Sequence, residues 1–191
     1  MRSTVLIALL ALSFCIHAAD NPQQDPKAMA AMMEKFAPGK EHEALAKLAG
    51  KYDVTVKMWM EPGKDPVESK AEAEFTMELK GRYLKQTFKG TMMGQPFTGV
   101  GYDGFDRASN KYTATWMDDF STTMMYMTGT SKDGGKTVEY TGEQTCPMTG
   151  QMIKTRTVHK TVDDDTFTFE MYQTHDGKEM KGMELTYKRK K

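Results

Sequence analysis

Hydrophobic and polar residues alternate with a period of two over most of the chain from residue 51 onward. The clearest example is the stretch 97–119, in which a run of turn-forming residues separates two alternating segments. In the second segment Tyr112, Ala114 and Trp116 share one side, and the residues between them share the other. Such alternation is typical of strands that bury one face. The pattern therefore predicts an antiparallel all-β protein.

About ten strands are predicted, joined by short connections. They cover residues 51–60, 67–79, 82–91, 97–103, 111–118, 122–130, 137–145, 151–162, 166–174 and 179–188. No helix long enough to connect parallel strands lies between them, so we expect sequential hairpins. A meander of this length leaves two exposed edges unless it closes on itself. We therefore predict an up-and-down barrel, with a two-sheet sandwich as the alternative.

Two short amphipathic helices are predicted before the first strand. The first begins after Asp25 and has a stripe of apolar residues at helical spacing: Met29, Met32, Met33 and Phe36. The second covers about residues 41–48, with Gly50 as its stop, and is expected to bury three residues: Ala44, Leu45 and Leu48. Helices in this position either plug one end of the sheet or act as a lid over a pocket.

The first 19 residues have the composition of a secretory signal peptide. A positive charge at Arg2 precedes an apolar run over residues 5–16, and the small residues Ala18 and Ala19 follow. The run is too short for a membrane span, although a retained anchor is the alternative. We expect cleavage near Ala18 or Ala19 and a periplasmic or secreted protein. Residues 20–39 would form an N-terminal segment with a short helix, and residues 40–191 a β-barrel domain.

Charge and cysteine content restrict the possible partners. The 26 basic and 26 acidic side chains balance, so no net field favours nucleic acid or an anionic membrane. The predicted signal peptide contains Cys15, so after cleavage Cys146 would be the one remaining cysteine and could form no intramolecular disulfide. Its thiol could be a nucleophile or a metal ligand, but an incidental buried cysteine is the more common case.

Motifs for catalysis and metal binding are missing from the sequence. It contains no His-Glu-x-x-His or Cys-x-x-Cys spacing for zinc and no Gly-x-Ser-x-Gly nucleophile elbow. His159 lies in a predicted strand, where a haem-binding barrel could use a single histidine as an iron ligand. Nothing else marks a haem site, so an ordinary strand histidine is the preferred interpretation. We expect no enzyme activity, no metal site and no cofactor.

Methionine is unusually frequent, with 18 residues. It can fill a core in place of leucine, line a cavity for irregular apolar ligands, bind Cu(I), or absorb oxidant. If a cavity exists, its expected ligand-binding residues are Met58, Met93, Trp116, Asp118, Met125, Tyr126, Met127 and Arg156. An inward Asp118 and Arg156 would need each other or a ligand, because unpaired buried charge is costly. The alternative is an internal ion pair or an outward position for both.

Four segments of the sequence resemble a bacterial family known as domain of unknown function 1579. They are Gly-x-Tyr-Asp at 50–53, residues 99–103 with Tyr112 and 116–118, residues 147–150, and residues 163–166 with 169–172. The first also resembles the Gly-x-Trp opening of lipocalin-like (calycin) barrels, with Tyr52 in place of Trp. The resemblance implies a lipocalin-like barrel in which Gly50 and Tyr52 are structural and the aromatic ring packs near a basic residue of the last strand, here Arg189. It implies no activity.

Two functions from different classes follow. The first is a carrier for a small apolar or amphipathic ligand held among methionines, which requires an internal cavity with Trp116 at its wall. The second is a cell-envelope interaction or structural module without a ligand, which requires an exposed apolar patch, for example at Trp59 and residues 58–60. An enzyme is the third possibility.

Overall fold

The structure is a computed structural model that describes residues 25–61, 63–146, 149–175 and 177–191. The predicted signal peptide at residues 1–19 lies outside the described residues. Two compact units are present, one ending at Phe36 and the other covering Ala37–Lys191. The first contains helix α1, Pro26–Phe36. The second contains a short helix and all ten strands described below.

The second unit begins with helix α2, Lys40–Ala46. The strands that follow are β1 Gly50–Met58, β2 Val67–Glu78, β3 Tyr83–Met92, β4 Gln95–Asp106, β5 Lys111–Asp118, β6 Met125–Thr130, β7 Thr137–Thr145, β8 Met152–Thr161, β9 Thr166–His175 and β10 Lys178–Arg189. The predicted strands match these within a few residues. The main difference is β6, which begins at Met125 because residues 119–124 form the connection from β5.

The sheet closes into an antiparallel barrel in which every strand pairs with its neighbours in sequence. Closure occurs between β1 and β10, where Tyr52 lies opposite Arg189 and Val56 opposite Leu185. The predicted all-β up-and-down barrel is therefore confirmed, and the sandwich alternative is wrong. Closure gives each strand two hydrogen-bonded neighbours and leaves no open sheet edge.

The two ends of the barrel differ. Helix α2 contacts β3 and β4 near the β4–β5 turn, where Arg107 donates a hydrogen bond of 3.1 Å to the carbonyl of Ala37. We call this the helix end; the opposite end, where β1–β2, β3–β4, β5–β6, β7–β8 and β9–β10 connect, is the distal end. His42 and Leu45 of α2 are buried, and Leu48 just after the helix is half-buried. The helix therefore plugs one end of the barrel.

Side chains that point into the barrel form two clusters. The larger one extends over β1–β4, β9, β10 and α2 and includes Tyr52, Phe75 and Tyr187. The smaller one belongs to β5, β6 and β7 and includes Tyr112 and Tyr140. Trp116 packs against both clusters. The space between them is the candidate site.

Candidate ligand-binding cavity

A cavity of about 430 Å³ lies inside the barrel. At the helix end it is bordered by Ala44, Leu45 and Leu48, and toward the distal end by Phe97 and Met183. Glycines on the inner face leave room for two lining side chains: a Cβ at Gly101 would lie 3.1 Å from the Trp116 ring, and a Cβ at Gly142 would lie 2.6 Å from Met127. Its walls are mainly apolar, with a few polar groups between apolar side chains.

Strand register decides which methionines reach the cavity. Met125 pairs with Trp116 and Met127 with Ala114, so all four share the inner face. The lining methionines are Met58, Met92, Met125, Met127, Met171 and Met183. Met60, Met93, Met124 and Met152 are each more than half exposed. Sulfur is thus present both on the cavity wall and on the outer surface.

The structure brings together five of the residues predicted to bind a ligand. Met58, Trp116, Asp118, Met125 and Met127 all border the cavity.

The other three predicted residues lie elsewhere, and the expectation that they line the cavity is wrong. Met93 forms the β3–β4 turn with a φ of 52° and is 74% exposed. Tyr126 lies between two inward methionines and therefore points outward, 56% exposed. Arg156 lies between Thr155 and Thr157, which are buried inside, so it too is on the outer wall.

Arg156 has a full set of partners outside the barrel. Its Nε and Nη2 donate to the two carboxylate oxygens of Glu179 at 2.8 and 2.7 Å. Glu139 is 3.8 Å away, and the guanidinium lies 4.2 Å from the centre of the Tyr172 ring. The hydrogen bonds to Glu179 raise the pKa of Arg156 further above its ordinary value. Arg156 therefore links β8 to β7, β9 and β10 on the outer surface, which is the outward position given above as the alternative for this residue.

Trp116 and Asp118 form a local unit at the cavity wall. The indole Nε1 of Trp116 donates to Oδ2 of Asp118 at 2.9 Å. Oδ1 of the same carboxylate accepts from the backbone N–H groups of Phe120 and Ser121 at 3.1 and 2.8 Å. Both oxygens are occupied, so Asp118 orients Trp116 and holds the start of the β5–β6 connection.

Asp103 is the acid that sequence reasoning missed. It points inward from β4 opposite Ala114, is half-buried, and borders the cavity. Its one hydrogen bond in the described structure comes from the hydroxyl of Tyr140, at 3.4 Å from Oδ1. Burial raises its pKa to about 7, although the bond from Tyr140 acts in the opposite direction. The sequence did contain a signal for this position. Asp103 follows Phe97, Gly99 and Gly101 at intervals of two residues, so all four lie on the same face of the strand.

Further polar groups lie near this carboxyl. The amide of Gln86 donates to the hydroxyl of Tyr187 at 3.0 Å. Burial raises the pKa values of Tyr140 and Tyr187 well above the ordinary value, and the negative charge of Asp103 adds to both shifts. Both phenols therefore stay protonated at physiological pH.

His159 is a second titratable group on the cavity wall, and its side chain is half-buried. Its ring packs between Tyr140 and Phe169, with ring centres 4.8 and 4.9 Å away. Its Nε2 is buried and has no hydrogen-bond partner. Burial lowers its pKa to about 4, so the imidazole is neutral near pH 7. Nearby, the hydroxyl of Thr155 is also buried without a partner.

The predicted structural trio closes the barrel near the helix end. The Arg189 guanidinium carbon lies 4.8 Å from the centre of the Tyr52 ring. Tyr52 donates from its hydroxyl to the carbonyl of Leu48 at 2.9 Å. Gly50 has a φ of 146°, and a Cβ there would lie 2.3 Å from Nη1 of Arg189. Only glycine fits between the helix and this arginine.

Exposed apolar side chains concentrate at the distal end. Each is at least 37% exposed and lies in or beside a distal connection: Met60, Val67, Met93, Phe120, Met124, Met152 and Met180. The large exposed apolar residues at the helix-end connections are Leu79, Tyr83 and Val162. We call the first set the distal ring. Of residues 58–60, which were predicted as an exposed patch, Met60 belongs to the distal ring, whereas Met58 and Trp59 are half-buried and border the cavity.

Neither a membrane-spanning helix nor a metal-binding cluster is found in the described part of the chain. There, no helix has both the length and the apolar character needed to cross a membrane. Among the same residues, no group of three or more histidine, cysteine, aspartate or glutamate side chains is arranged to hold a metal ion.

Comparisons with known proteins give the fold and the family. No curated protein matches the sequence. A solved structure, the crystal structure of Rv2717c from M. tuberculosis, aligns with 81% of this chain and 100% of its own chain at a TM-score of 0.57 and 15% identity. At that identity the likeness supports the barrel fold alone. The model of the family described as protein of unknown function (DUF1579) matches residues 37–189, which cover α2 and the whole barrel. The chain therefore belongs to the DUF1579 family.

Proposed function

We propose that this protein is an exported carrier that binds a small apolar or amphipathic molecule inside its barrel. The observation that supports this proposal is the cavity of about 430 Å³ with mainly apolar walls. Ligand pockets for small molecules commonly measure roughly 300–1,000 Å³ and carry a few polar groups that orient the ligand. Lining methionines suit such a ligand because their flexible, polarizable side chains adapt to irregular shapes.

Binding is favoured over catalysis by the state of the polar groups. A histidine that activates a nucleophile must hydrogen-bond to it. The buried Nε2 of His159 has no such partner, and its lowered pKa makes it a poor base near pH 7. Both oxygens of Asp118 are held by Trp116 and the β5–β6 connection.

Export is proposed from the signal-like composition of residues 1–19. Cell fractionation followed by N-terminal sequencing tests it. We expect a mature chain that begins near residue 19 or 20 in the extracytoplasmic fraction. A full-length chain in the cytoplasm would contradict export without affecting the binding proposal.

A matched pair of substitutions tests ligand binding. Ala114 points into the cavity, whereas its neighbour Thr113 points outward on the same strand. With 1-pyrenemethanol as a neutral apolar probe, we expect saturable one-to-one binding to the wild type. Ala114→Phe should weaken it at least tenfold, and Thr113→Phe should leave it within twofold. No saturable binding, or equal binding by both variants, would overturn the proposal. Thermal unfolding monitors that both variants are folded.

The distal ring favours a second candidate, an interaction module of the cell envelope. Its side chains come from all five distal connections or the strands beside them, so the exposed apolar residues gather at one end of the barrel. Flotation with phosphatidylethanolamine–phosphatidylglycerol vesicles tests this candidate. A Met60→Gln, Met124→Gln, Met180→Gln variant should lose vesicle binding, while Leu79→Gln, Val162→Gln at the helix end should retain it. No flotation of the wild type would count against a membrane partner.

A further inference from the structure

The charge balance inside the cavity points to a more specific ligand class. Asp103 is a half-buried carboxyl on the cavity wall, deep inside the barrel. Among the described residues its one hydrogen bond is the long one from Tyr140, and no cationic side chain contributes to its pKa. A buried carboxylate without a counter-charge is costly, so such groups normally pair with a cation or stay protonated. Asp118, the other acid at the wall, has both oxygens occupied. Asp103, with its single long hydrogen bond, therefore has more acceptor capacity left for a ligand than Asp118.

The neighbours of Asp103 favour a cation. Tyr140 and Tyr187 present aromatic rings on two other strands, and π faces attract positive charge. His159 adjoins Tyr140 and is neutral near pH 7, so it does not compete as a counter-charge. The titratable groups around Asp103 thus add no positive charge near pH 7.

Two lysines border the cavity, and neither changes this picture. Lys136 and Lys160 are both exposed residues at the helix end. Neither contributes to the pKa of Asp103, which burial and Tyr140 determine. Their charged groups are therefore too distant or too solvated to neutralise the carboxylate.

We propose that the cavity takes a molecule with an apolar body and a protonated amine, and that the amine pairs with Asp103 between Tyr140 and Tyr187. This inference rests on the proposed carrier function and adds the ligand's charge. The ligand's ammonium group replaces the missing counter-charge, and its apolar part contacts the methionines and Trp116. Binding should therefore strengthen as Asp103 ionises, from about pH 6 to pH 8, while Tyr112, Tyr140 and Tyr187 stay protonated and His159 stays neutral.

Three probes with one ring system test the inference: 1-pyrenemethylamine, 1-pyrenemethanol and 1-pyrenecarboxylate. At pH 8 we expect the wild type to bind the amine at least tenfold more tightly than the alcohol and to bind the carboxylate most weakly. Asp103→Asn should remove the preference for the amine but keep the affinity for the alcohol within about threefold. Asp53→Asn removes an equal charge from the outer wall and should keep the preference for the amine.

The outcomes separate this inference from the carrier proposal. Equal binding of the amine and the alcohol by the wild type would overturn the ligand class and leave the carrier function intact. A preference for the amine that persists in Asp103→Asn would also overturn the ligand class, because a group other than Asp103 would then bind the ammonium. No saturable binding of any of the three probes would overturn both proposals.

Discussion

Arg189, at the end of the last strand, holds its guanidinium carbon 4.8 Å from the centre of the Tyr52 ring in the first strand. The same guanidinium donates to the carbonyls of Ala49 and Lys47 at 2.6 and 2.8 Å. Arg189 therefore connects the β1–β10 pair, which closes the barrel, to the segment that follows helix α2. These carbonyls lie just after the helix, where no intrahelical donor satisfies them.

The first prediction concerns this contact. Arg189→Met should lower the free energy of unfolding by about 1–3 kcal/mol, because it removes two charge-assisted hydrogen bonds and a cation–π contact. Arg189→Lys should recover only part of the loss, since lysine lacks the planar fork. Urea denaturation measures the change, with the exposed neighbour Lys188→Met as control. A loss no larger than that of the control would contradict the role of Arg189.

The second prediction concerns the room that glycine provides for Trp116. A Cβ at Gly99 would lie 2.1 Å from Cζ2 of Trp116, so Gly99→Ala must displace the indole. We expect a loss of about 1–3 kcal/mol in unfolding free energy and an altered near-ultraviolet circular dichroism signal. Gly182→Ala is the matched control, because a Cβ there meets nothing within 4 Å. An unchanged spectrum for Gly99→Ala would contradict the close packing.

The third prediction follows from the raised pKa of Asp103. Below about pH 4 the carboxyl is protonated in both the folded and the unfolded protein, so its contribution to stability is fully present. Between about pH 4 and pH 7 only the unfolded chain ionises, and the free energy of unfolding falls as the pH rises. Asp103→Asn should remove this slope and be more stable than the wild type at pH 8, by on the order of 3 kcal/mol. Urea unfolding at pH 4.5, 6 and 8 measures it; parallel curves for the two proteins would contradict the shifted pKa.

The fourth prediction concerns His159. Its pKa of about 4 gives the free energy of unfolding a pH dependence opposite to that from Asp103. Its stabilising contribution is present above the unfolded pKa of about 6.5 and is lost as the pH falls toward about 4, because the unfolded chain takes up a proton first. His159→Phe should therefore lose less stability than the wild type between pH 7 and pH 4. The same titrations measure this difference. An equal acid sensitivity in both proteins would show that His159 is not buried in its neutral form.

The fold could be predicted because each strand carries its own signal, an alternation of apolar and polar residues ended by turn formers. Met125 and Met127, two of the residues expected to bind a ligand, lie on the cavity wall because they share the phase of the inward residues on their strand. Arg156 and Tyr126 were misplaced because register decides which phase of a strand faces inward, and register depends on neighbouring strands. Asp103 was missed because a polar residue in a strand is normally assigned to the outer face. Its inward position follows only once Gly99 and Gly101 are recognised to lie on the same face as Phe97.

Methionine methyl groups offer the most direct test of ligand binding inside the barrel. In protein labelled with ¹³C at methionine methyls, 1-pyrenemethanol should shift the signals of the cavity residues Met58, Met125, Met127, Met171 and Met183. The signals of Met60, Met93, Met124, Met152 and Met180 in the distal ring should stay in place. Shifts confined to the distal ring, or no saturable shift at all, would contradict the account.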